Sequence, residues 1–555
     1  MGEHNTYKWW KEAVGYQIYP KTFFDANNDG YGDIQGIIDK LPYLRELGID
    51  FIWICPFFDS PLDDNGYDIR NYYKVHENFG NMQDIKTLIA KAKEMDIRII
   101  VDLVLNHTSD EHEWFVNVKK HSNSMYRDYY ILKEGKAGKP PNNWGSFFGG
   151  SAWEKLNDKE YYLKLFSKKM PDLNWSNRKL RTALYQIASW WLELGVDGFR
   201  IDAIAHIAKD TSYKDSTLES DTEFVSDWSK FSNLPRVHEY IKEFHEEVLE
   251  PNNAFAVGEV GGDPSVEDVL KYCAFDRNEL DVTFTFDHMW CNNINEASSL
   301  TELKTNVKEL KETLEHWQVS LIKKAWYPLY WNNHDFNRLV SNYGSVKYPQ
   351  QSAKALATLM YGMWGTMFIY QGEEIGMENY PFTSIDQLED VQAKGQYEAT
   401  PLPQREKFLR KLFMTSRDNM RTVMQWDDTK NAGFSSAKPS MLLNPNYKRI
   451  NVKQQMSDPN SVWHYYKKII HLKKSNMTFI YGDIVFADVI ADQVIQYARF
   501  DDHNRYLVVV NLGENDCEIE IPDIQSIILS NVKTTKPMGN ILKLSAFDSY
   551  IFKVK

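Results

Sequence analysis

One unit recurs along the chain: a stretch with helical periodicity ends at a small turn and passes directly into a run of strand-forming residues. In IQGIIDKLPYLRELGIDFIWICP the apolar positions have helical spacing, Gly48 is a natural stop, and Ile49 to Ile54 is a predicted strand. The unit recurs before a strand at Ile97 to Leu103 and, after a stop at Gly195, before a strand ending at Asp202. Strands that are apolar on both faces are typical of a parallel sheet covered by helices.

Further strand-like segments complete a set of eight. They lie at Val14 to Tyr19, Ala254 to Gly258, Val282 to Phe286, Tyr327 to Trp331 and Met367 to Tyr370. Eight parallel strands that alternate with helices predict an α/β protein with a closed (β/α)8 TIM barrel, whose chemistry lies on the loops after the strand C-termini. An open doubly wound sheet is the alternative.

Two regions depart from this repeat. The interval between the third and fourth strands is about twice the usual length and rich in aromatic residues and glycine, which predicts an inserted subdomain at residues 105–175. The barrel then comprises residues 1–104 and 176–479. From residue 480 the pattern changes to short alternating strands, which predicts a C-terminal antiparallel β domain at residues 480–555.

Charge and composition exclude several classes of partner. The formal net charge of −13 opposes binding to nucleic acid and to anionic membranes and favours a small neutral or cationic substrate. No apolar segment is typical of a signal peptide or a membrane span. The four cysteines are far apart and include no CxxC pair, which suits a cytoplasmic protein. We expect a monomer or homodimer without an organic cofactor.

An acidic loop, DANNDGYGD, follows the first strand and is a candidate metal site. Its oxygen ligands are Asp25, Asn27, Asp29, the carbonyl of Tyr31, and Asp33. Alternating oxygen ligands around a glycine turn suit a hard cation, so we predict a structural Ca²⁺, with Mg²⁺ possible. The match to an EF-hand is incomplete because Gly36 stands at its twelfth position. A solvated acidic turn is the alternative.

Polar clusters stand at four predicted strand ends, in otherwise apolar surroundings. They occur in DLVLNH, GFRID, VGEV and WNNHD and comprise Asp102, Asn106, His107, Arg200, Asp202, Glu259, Asn333, His334 and Asp335. Any one cluster alone is more typical of a structural ion pair or a helix cap. In a (β/α)8 barrel, however, all four converge on one mouth.

Two of these carboxylates have the contrasting environments that glycoside hydrolysis requires. Asp202 is two residues from Arg200 on the same side of a strand, so we expect the guanidinium to keep Asp202 ionised. Glu259 has no cation nearby in sequence, so we expect apolar surroundings to raise its pKa and make it a proton donor. Asp335 is then a hydrogen-bond acceptor that distorts the substrate.

The same four segments, together with DNGYDI, MPDLNW, FIYQGEEIGM and RTVMQWDD, resemble glycoside hydrolase family 13, the α-amylase family, in its oligo-1,6-glucosidase and α-glucosidase branch. The resemblance extends over nearly the whole chain. It implies a retaining mechanism with a covalent glucosyl-enzyme intermediate, in which Asp202 is the nucleophile, Glu259 the acid/base and Asp335 the transition-state stabiliser. It further implies that Arg200 orients Asp202.

The resemblance also implies how substrate is held. His107 and His334 would bind the glucosyl unit in the −1 subsite, and Tyr67 would stack beneath it. Asp68 and Arg421 match positions that clamp the terminal hydroxyl in this branch, which makes these enzymes release one glucose from the non-reducing end. The metal of the DANNDGYGD-type loop would be structural and far from the catalytic carboxylates.

Linkage preference depends on the residue after the nucleophile. The resembling oligo-1,6-glucosidases commonly carry Val there and α-1,4-active enzymes carry Ala or Thr; this chain has Ala203. The smaller side chain opens the +1 subsite, a difference of about 1–3 kcal/mol in discrimination, and favours maltose and short malto-oligosaccharides. A purely packing role for Ala203 and an isomaltose-type oligo-1,6-glucosidase are the alternatives.

Three other kinds of protein share parts of this sequence pattern. Trehalose-6-phosphate hydrolases resemble this chain and would need a phosphate pocket. Sucrose isomerases carry an RLDRD sequence that is missing between Asn295 and Lys311, so isomerisation is not expected. A non-catalytic relative, like the ectodomains of amino-acid transporter heavy chains, would need a membrane span and usually lacks the catalytic carboxylates that this chain retains.

Overall fold

Eight parallel strands form the centre of the molecule. The computed structural model describes residues 7–532 and 539–555. The strands are β1 (Val14–Ile18), β2 (Phe51–Ile54), β3 (Arg98–Val104), β4 (Gly198–Asp202), β5 (Phe255–Glu259), β6 (Val282–Phe284), β7 (Pro328–Leu329) and β8 (Thr366–Tyr370). Their order in the sheet is β6-β5-β4-β3-β2-β1-β8-β7. A parallel bridge between Val282 and Trp326 joins the two ends, so the predicted barrel is confirmed and the open-sheet alternative is wrong.

A helix follows every barrel strand. These helices are α1 (Ile34–Leu47), α2 (Met82–Glu94), α3 (Arg178–Leu194), α4 (Arg236–Phe244), α5 (Val266–Cys273), α6 (Val307–Leu321), α7 (Pro349–Tyr361) and α8 (Val462–Ser475). Gly48 and Gly195 end α1 and α3 with φ of 108° and 115°, a conformation that strains any residue with a side chain. The two predicted helix stops are therefore correct.

The barrel interior accounts for the apolar runs in the sequence. Every residue of β1, β4 and β8 is buried. One face of each strand packs in the barrel interior and the other packs against the surrounding helices. Packing is close: a Cβ atom added to Gly15 would lie 2.3 Å from the ring of Phe51. Additional helices at Glu113–Lys120, Val391–Ala399, Arg405–Thr415 and Val452–Ser457 lie outside the eightfold repeat.

The insertion after β3 forms a small antiparallel sheet of Leu132–Glu134, Glu160–Leu163 and Trp153–Lys155. It has its own apolar cluster, which also includes Phe231 from the segment after β4. That segment is bound along the insertion: Trp144 pairs with Val225 in a parallel bridge and its Nε1 donates to the carbonyl of Lys214 at 2.9 Å. The predicted insertion is present, whereas its exact limits at 105–175 stay a prediction.

The C-terminal region is an antiparallel β structure, as predicted. Its strands are β9 (Asp483–Ala487), β10 (Val494–Phe500), β11 (Arg505–Asn511), β12 (Cys517–Glu520), β13 (Ile524–Ser530), β14 (Ile541–Leu544) and β15 (Ser549–Val554). Five strands form one sheet in the order β9-β10-β11-β15-β13, and β12 pairs with β14. Buried Arg499 on β10 donates to the carbonyls of Gly362 at 3.0 Å and Phe479 at 2.9 Å, which ties this region to the segment after α7.

Within the described residues, the cysteines form no disulfide bonds. All four cysteines are free thiols, and three of them are buried. Across residues 7–532 and 539–555, no helix has the length and apolar character needed to cross a membrane.

Candidate active site

A cavity of about 950 Å³ opens at the C-terminal end of the barrel. It is lined by six of the residues predicted from sequence: Tyr67, His107, Asp202, Ala203, Glu259 and Asp335. They come from the loops after β2, β3, β4, β5 and β7, so the structure brings the strand-end clusters together at one mouth. Arg200 and His334 are buried directly behind this surface and contact its carboxylates.

Arg200 is the centre of a cluster of three carboxylates. Its Nη1 lies 2.8 Å from Asp102 Oδ1 and 2.7 Å from Asp202 Oδ1, and its Nη2 lies 2.9 Å from Glu259 Oε2. The expectation that Glu259 has no neighbouring cation is therefore wrong. In the β4–β5 register Arg200 is opposite Val257, which brings the guanidinium beside Glu259 across the strand boundary.

Two of the three carboxylates around this guanidinium, Asp202 and Asp102, retain a proton more readily than an isolated carboxyl group. Burial raises the pKa of Asp202, and the charges of Glu259 and Asp102 raise it further while Arg200 opposes them. Burial likewise raises the pKa of Asp102 to about 6 despite Arg200. The prediction that Arg200 alone keeps Asp202 ionised is thus incomplete, because the same guanidinium is shared among three acids.

Asp335 has the opposite environment. Burial disfavours its charge, but His334, Arg417 and Arg421 together hold the pKa of Asp335 well below its usual range. Arg421 Nη2 lies 2.9 Å from Asp335 Oδ1 and Arg417 Nη1 lies 3.4 Å from the same atom. Asp335 is therefore a fixed anion beside the carboxyl groups around Arg200, as an acceptor of sugar hydroxyls should be.

The predicted partnership of Asp68 with Arg421 is not present. Asp68 is fully buried and accepts hydrogen bonds from Ser60 Oγ at 3.0 Å, Asp63 N at 2.9 Å and Asp64 N at 3.1 Å, so its carboxylate braces its own loop. Asp64 lines the cavity in its place, with Oδ1 2.8 Å from Arg417 Nη2.

Arg421 is also one layer further back than predicted. It is fully buried and contacts Asp335, whereas Arg417 lines the cavity and bridges Asp64, Asp335 and Asp390. The aspartate–arginine pair at the cavity surface is thus Asp64 with Arg417. Its signal in the sequence is RDNMRT, in which Arg417 precedes the recognised Arg421 by one helical turn.

Tyr67 and His107 line the cavity, and His334 lies directly behind Tyr67. The rings of Tyr67 and His334 stack at 5.2 Å with 5° between their planes. Tyr67 Oη lies 2.7 Å from His334 Nε2 and donates to Asp102 Oδ2 at 2.9 Å. Burial lowers the pKa of both His107 and His334 to about 3, so both rings are uncharged at pH 7. Neutral imidazoles are suited to hydrogen-bond sugar hydroxyls.

Ala203 follows Asp202 in the chain and contacts Glu259. Its N–H donates to Glu259 Oε2 at 2.9 Å, and its side chain lines the cavity. Its φ of 45° is left-handed, which disfavours β-branched side chains. The backbone at this position therefore orients Glu259, while the small side chain leaves room beside it.

Sequence reasoning missed the aromatic wall of the cavity and one histidine. The wall comprises Phe147, Phe148, Phe166, Trp228, Phe286, Trp290 and Phe336. The histidine is His206, which also lines the cavity. These residues lie in the insertion and in the loops after β4, β6 and β7, where no hydrophobic period marks a side chain as inward-facing.

The predicted metal loop is an ordered oxygen-rich turn. Asp25 Oδ1 accepts from Asn28 N at 2.6 Å, and both oxygens of Asp33 accept backbone N–H groups, including Gly36 N at 2.6 Å at the start of α1. Within residues 7–532 and 539–555, no three His, Cys, Asp or Glu side chains form a metal-binding group. A cation here would therefore depend on Asn27 and the Tyr31 carbonyl in addition to carboxylates, and the all-oxygen donor set fits a hard ion.

Cleavage of a glycosidic bond requires paired carboxyl groups, and Asp202 and Glu259 meet on one guanidinium beside the ionised Asp335. The fold and this site together define the class of the protein as a glycoside hydrolase. Residues 17–482 match the family described as alpha amylase, catalytic domain. The chain belongs to the α-amylase family.

Individual relatives match most or nearly all of the chain. It is 43% identical to an oligo-1,6-glucosidase of Bacillus cereus, with 99% of this chain and 100% of the relative covered. It is 42% identical to an alpha-glucosidase of Pediococcus pentosaceus, with 87% and 88% covered. The crystal structure of a Bacillus licheniformis trehalose-6-phosphate hydrolase mutant superimposes with a TM-score of 0.91 at 36% identity, covering 99% of this chain and 100% of that one.

Proposed function

We propose that this protein is a retaining, exo-acting α-glucosidase that releases glucose from the non-reducing end of short, neutral α-glucosides. The observation that carries the proposal is the contact of Asp202 and Glu259 with the same guanidinium, at 2.7 Å and 2.9 Å. Side-by-side carboxyl groups fit the short separation of retaining enzymes, about 5–5.5 Å, better than the wider gap of inverting ones. The relatives named as α-glucosidases support the substrate class.

In this mechanism a carboxylate oxygen of Asp202 attacks the anomeric carbon while Glu259 donates its proton to the departing glycosidic oxygen. Glu259 then removes a proton from water, the water oxygen attacks the anomeric carbon, and the bond to Asp202 breaks. In the first step Asp202 loses its negative charge and Glu259 gains one. Arg200 contacts both carboxyl groups, so its guanidinium has an anionic partner throughout. Asp335 stays ionised throughout and accepts hydrogen bonds from sugar hydroxyls, which supports oxocarbenium character in the transition state.

The exo-acting preference rests on the pair Asp64 and Arg417. A carboxylate and a guanidinium 2.8 Å apart offer an acceptor and a donor to adjacent hydroxyl groups of a terminal glucose. Asp390 holds the same guanidinium in place. A chain that continued beyond the terminal glucose would displace these charged contacts, so we expect internal glucosyl units to bind poorly.

Cavity charge favours a neutral substrate over a phosphorylated one. The cavity is lined by seven carboxyl groups: Asp64, Asp202, Glu259, Asp263, Asp287, Asp335 and Asp390. Among the described residues, two cations line it, Arg417 and Lys411. Arg417 forms ion pairs with three of those acids. Lys411 Nζ donates to Asn295 Oδ1 at 2.8 Å. A phosphate dianion would meet a net negative field, which argues against trehalose-6-phosphate hydrolysis.

We retain α-1,4-linked glucosides as the preferred substrates. The small side chain of Ala203 beside Glu259 supports room for a 4-linked leaving group. The second candidate is α-1,6 hydrolysis, favoured by the name of the Bacillus cereus relative. The test is the ratio of kcat/KM for maltose to that for isomaltose. A ratio above one supports the α-1,4 proposal, and a ratio well below one replaces it with the α-1,6 activity.

Several secondary features belong to the same proposal. The oxygen-rich loop from Asp25 to Asp33 would hold a structural Ca²⁺ or Mg²⁺ without taking part in catalysis. The free thiols support a cytoplasmic location. A monomer or homodimer remains our expectation. The intact carboxylates Asp202, Glu259 and Asp335 argue against a non-catalytic role of the transporter-heavy-chain kind.

A further inference from the structure

Two tryptophans at the mouth of the cavity are exposed to solvent. Trp228 is 42% exposed and Trp290 is 57% exposed, and both line the cavity. The groups that carry the proposed mechanism do not include them. Exposed indole faces in a binding cavity are typical of surfaces that take up a ring, because stacking buries a large apolar area with little loss of side-chain freedom.

Trp228 adjoins the loop that follows the acid/base residue. A Cβ atom added to Gly261 would lie 3.9 Å from the Trp228 ring, and one added to Gly262 would lie 3.1 Å from it. The indole thus packs against backbone two and three residues beyond Glu259. Phe147 supports it from the side, with ring centroids 4.9 Å apart.

The location beside Glu259 determines which part of a substrate meets Trp228. Glu259 protonates the oxygen that joins the departing group to the glucosyl unit, so this oxygen marks the boundary between the −1 and +1 subsites. Asp64 and Arg417 occupy the glucosyl side of this boundary. The Trp228 ring, which comes from the segment after β4 and packs against the loop after Glu259, therefore faces the leaving group.

Trp290 approaches the cavity mouth from another loop. It follows β6 and packs its ring edge against Phe336 at 5.9 Å, with 76° between the planes. Phe336 is next in sequence to Asp335 and stacks on Phe286 at 5.2 Å. The two tryptophans are thus anchored independently, one beside Glu259 and the other beside the Asp335 loop.

We propose that Trp228 and Trp290 form the leaving-group subsite and determine which aglycones are accepted. They would take ring-shaped, uncharged leaving groups, a second glucose or an aryl alcohol, through stacking on the apolar face of the ring. This proposal rests on the α-glucosidase activity proposed above, and it concerns the specificity of that site.

The test compares substrates that share the glucosyl unit and differ in the leaving group. Trp228→Ala and Trp290→Ala are assayed on maltose, maltotriose and α-D-glucosyl fluoride, whose leaving group is too small to reach a stacking surface. We expect kcat/KM for maltose to fall about tenfold with Trp228→Ala, mainly through KM, and that for maltotriose to fall similarly with Trp290→Ala. Turnover of α-D-glucosyl fluoride should stay within about twofold of the unmodified enzyme, since no contact with the glucosyl unit is lost.

Matched controls separate a binding role from a structural one. Trp190→Ala alters a tryptophan of α3 that lines a separate groove with Tyr73, and it should leave all three substrates unaffected. Trp228→Phe keeps a stacking ring and should restore most of the maltose activity. An equal loss on maltose and on α-D-glucosyl fluoride would show that Trp228 only maintains the fold of the site and would overturn the proposal.

A binding experiment distinguishes failure of this inference from failure of the proposed activity. The affinity of maltotriose for Asp202→Asn is measured by calorimetry with and without Trp228→Ala and Trp290→Ala, and a loss of about tenfold is expected. Equal affinities would overturn the tryptophan subsite even if the enzyme hydrolyses α-D-glucosyl fluoride. If the unmodified enzyme hydrolyses no α-glucosyl substrate and Asp202→Asn binds no maltotriose, the α-glucosidase proposal fails and this inference fails with it.

Discussion

Replacing Asp64 with asparagine tests the arrangement that the structure presents at the glucosyl end of the cavity. Asp64 Oδ1 and Arg417 Nη2 are 2.8 Å apart, and the two side chains are 5% and 10% exposed. Asparagine keeps the shape of the side chain and removes its charge. Arg417 then loses one of its three carboxylate partners, and the terminal hydroxyl of the substrate loses a charged acceptor.

The size of the effect follows from these contacts. A hydrogen bond to a charged group contributes about 1.5–3 kcal/mol. Loss of one such bond to substrate, with some displacement of Arg417, should weaken transition-state binding by about 2–4 kcal/mol. At about 1.4 kcal/mol per tenfold change, kcat/KM falls roughly 30- to 700-fold.

The assay measures kcat/KM for 4-nitrophenyl α-glucoside at a temperature well below the melting point of each variant. Asp68→Asn is the matched control, because its carboxylate accepts three hydrogen bonds within its own loop and faces away from the cavity. Asp68→Asn should lower Tm and have little effect on kcat/KM. A large loss confined to Asp68→Asn, with Asp64→Asn as active as the unmodified enzyme, would refute the reasoning and return the hydroxyl clamp to Asp68.

Four further outcomes are expected. Asp202→Asn abolishes turnover without changing Tm or circular dichroism, and full activity in that variant would remove Asp202 as the nucleophile. Ala203→Val lowers the maltose-to-isomaltose ratio of kcat/KM and also lowers Tm, because a β-branched residue is strained at φ 45°; an unchanged ratio would mean that Ala203 only packs. Burial raises the pKa of Glu373 to about 8, so its protonated form stabilises the fold below pH about 4.5 and this contribution is lost as the pH rises through 8. Glu373→Gln should flatten the fall of Tm between about pH 4.5 and pH 8, and an equally steep fall would contradict the assignment. Chelation with EDTA lowers Tm, added Ca²⁺ restores it, and Asp25→Asn removes the difference; a Tm indifferent to EDTA and Ca²⁺ would argue against a metal in that loop.

The barrel was predictable because its strands are buried on both faces. Such strands are continuous apolar runs in the sequence, and stops such as Gly48 separate them from the preceding helices. The strand-end carboxylates were predictable for a related reason, since parallel strands in a closed barrel end at one mouth. Local sequence therefore identified Asp202, Glu259 and Asp335 as neighbours in space.

Side-chain contacts between strands and within loops were harder to predict from the sequence. The Arg200–Glu259 contact depends on the register of β4 with β5, which no local pattern specifies. Asp64 and Asp68 are four residues apart in an irregular loop. No periodicity there distinguishes the side chain that lines the cavity from the one that accepts hydrogen bonds within the loop. Trp228 and Trp290 lie in loops of the same irregular kind.

The packing of the segment after β4 on the insertion has a consequence for engineering and for divergence among relatives. Trp144 of the insertion is fully buried, and Lys214 and Val225 from the segment after β4 contact it. Phe231 from the same segment belongs to the apolar cluster of the insertion. These two pieces of chain, separated in sequence by α3 and β4, form one cooperative module. A graft that exchanged residues 105–175 alone would leave half of that module unmatched, so new specificities that involve the insertion should arise by paired replacement of both segments.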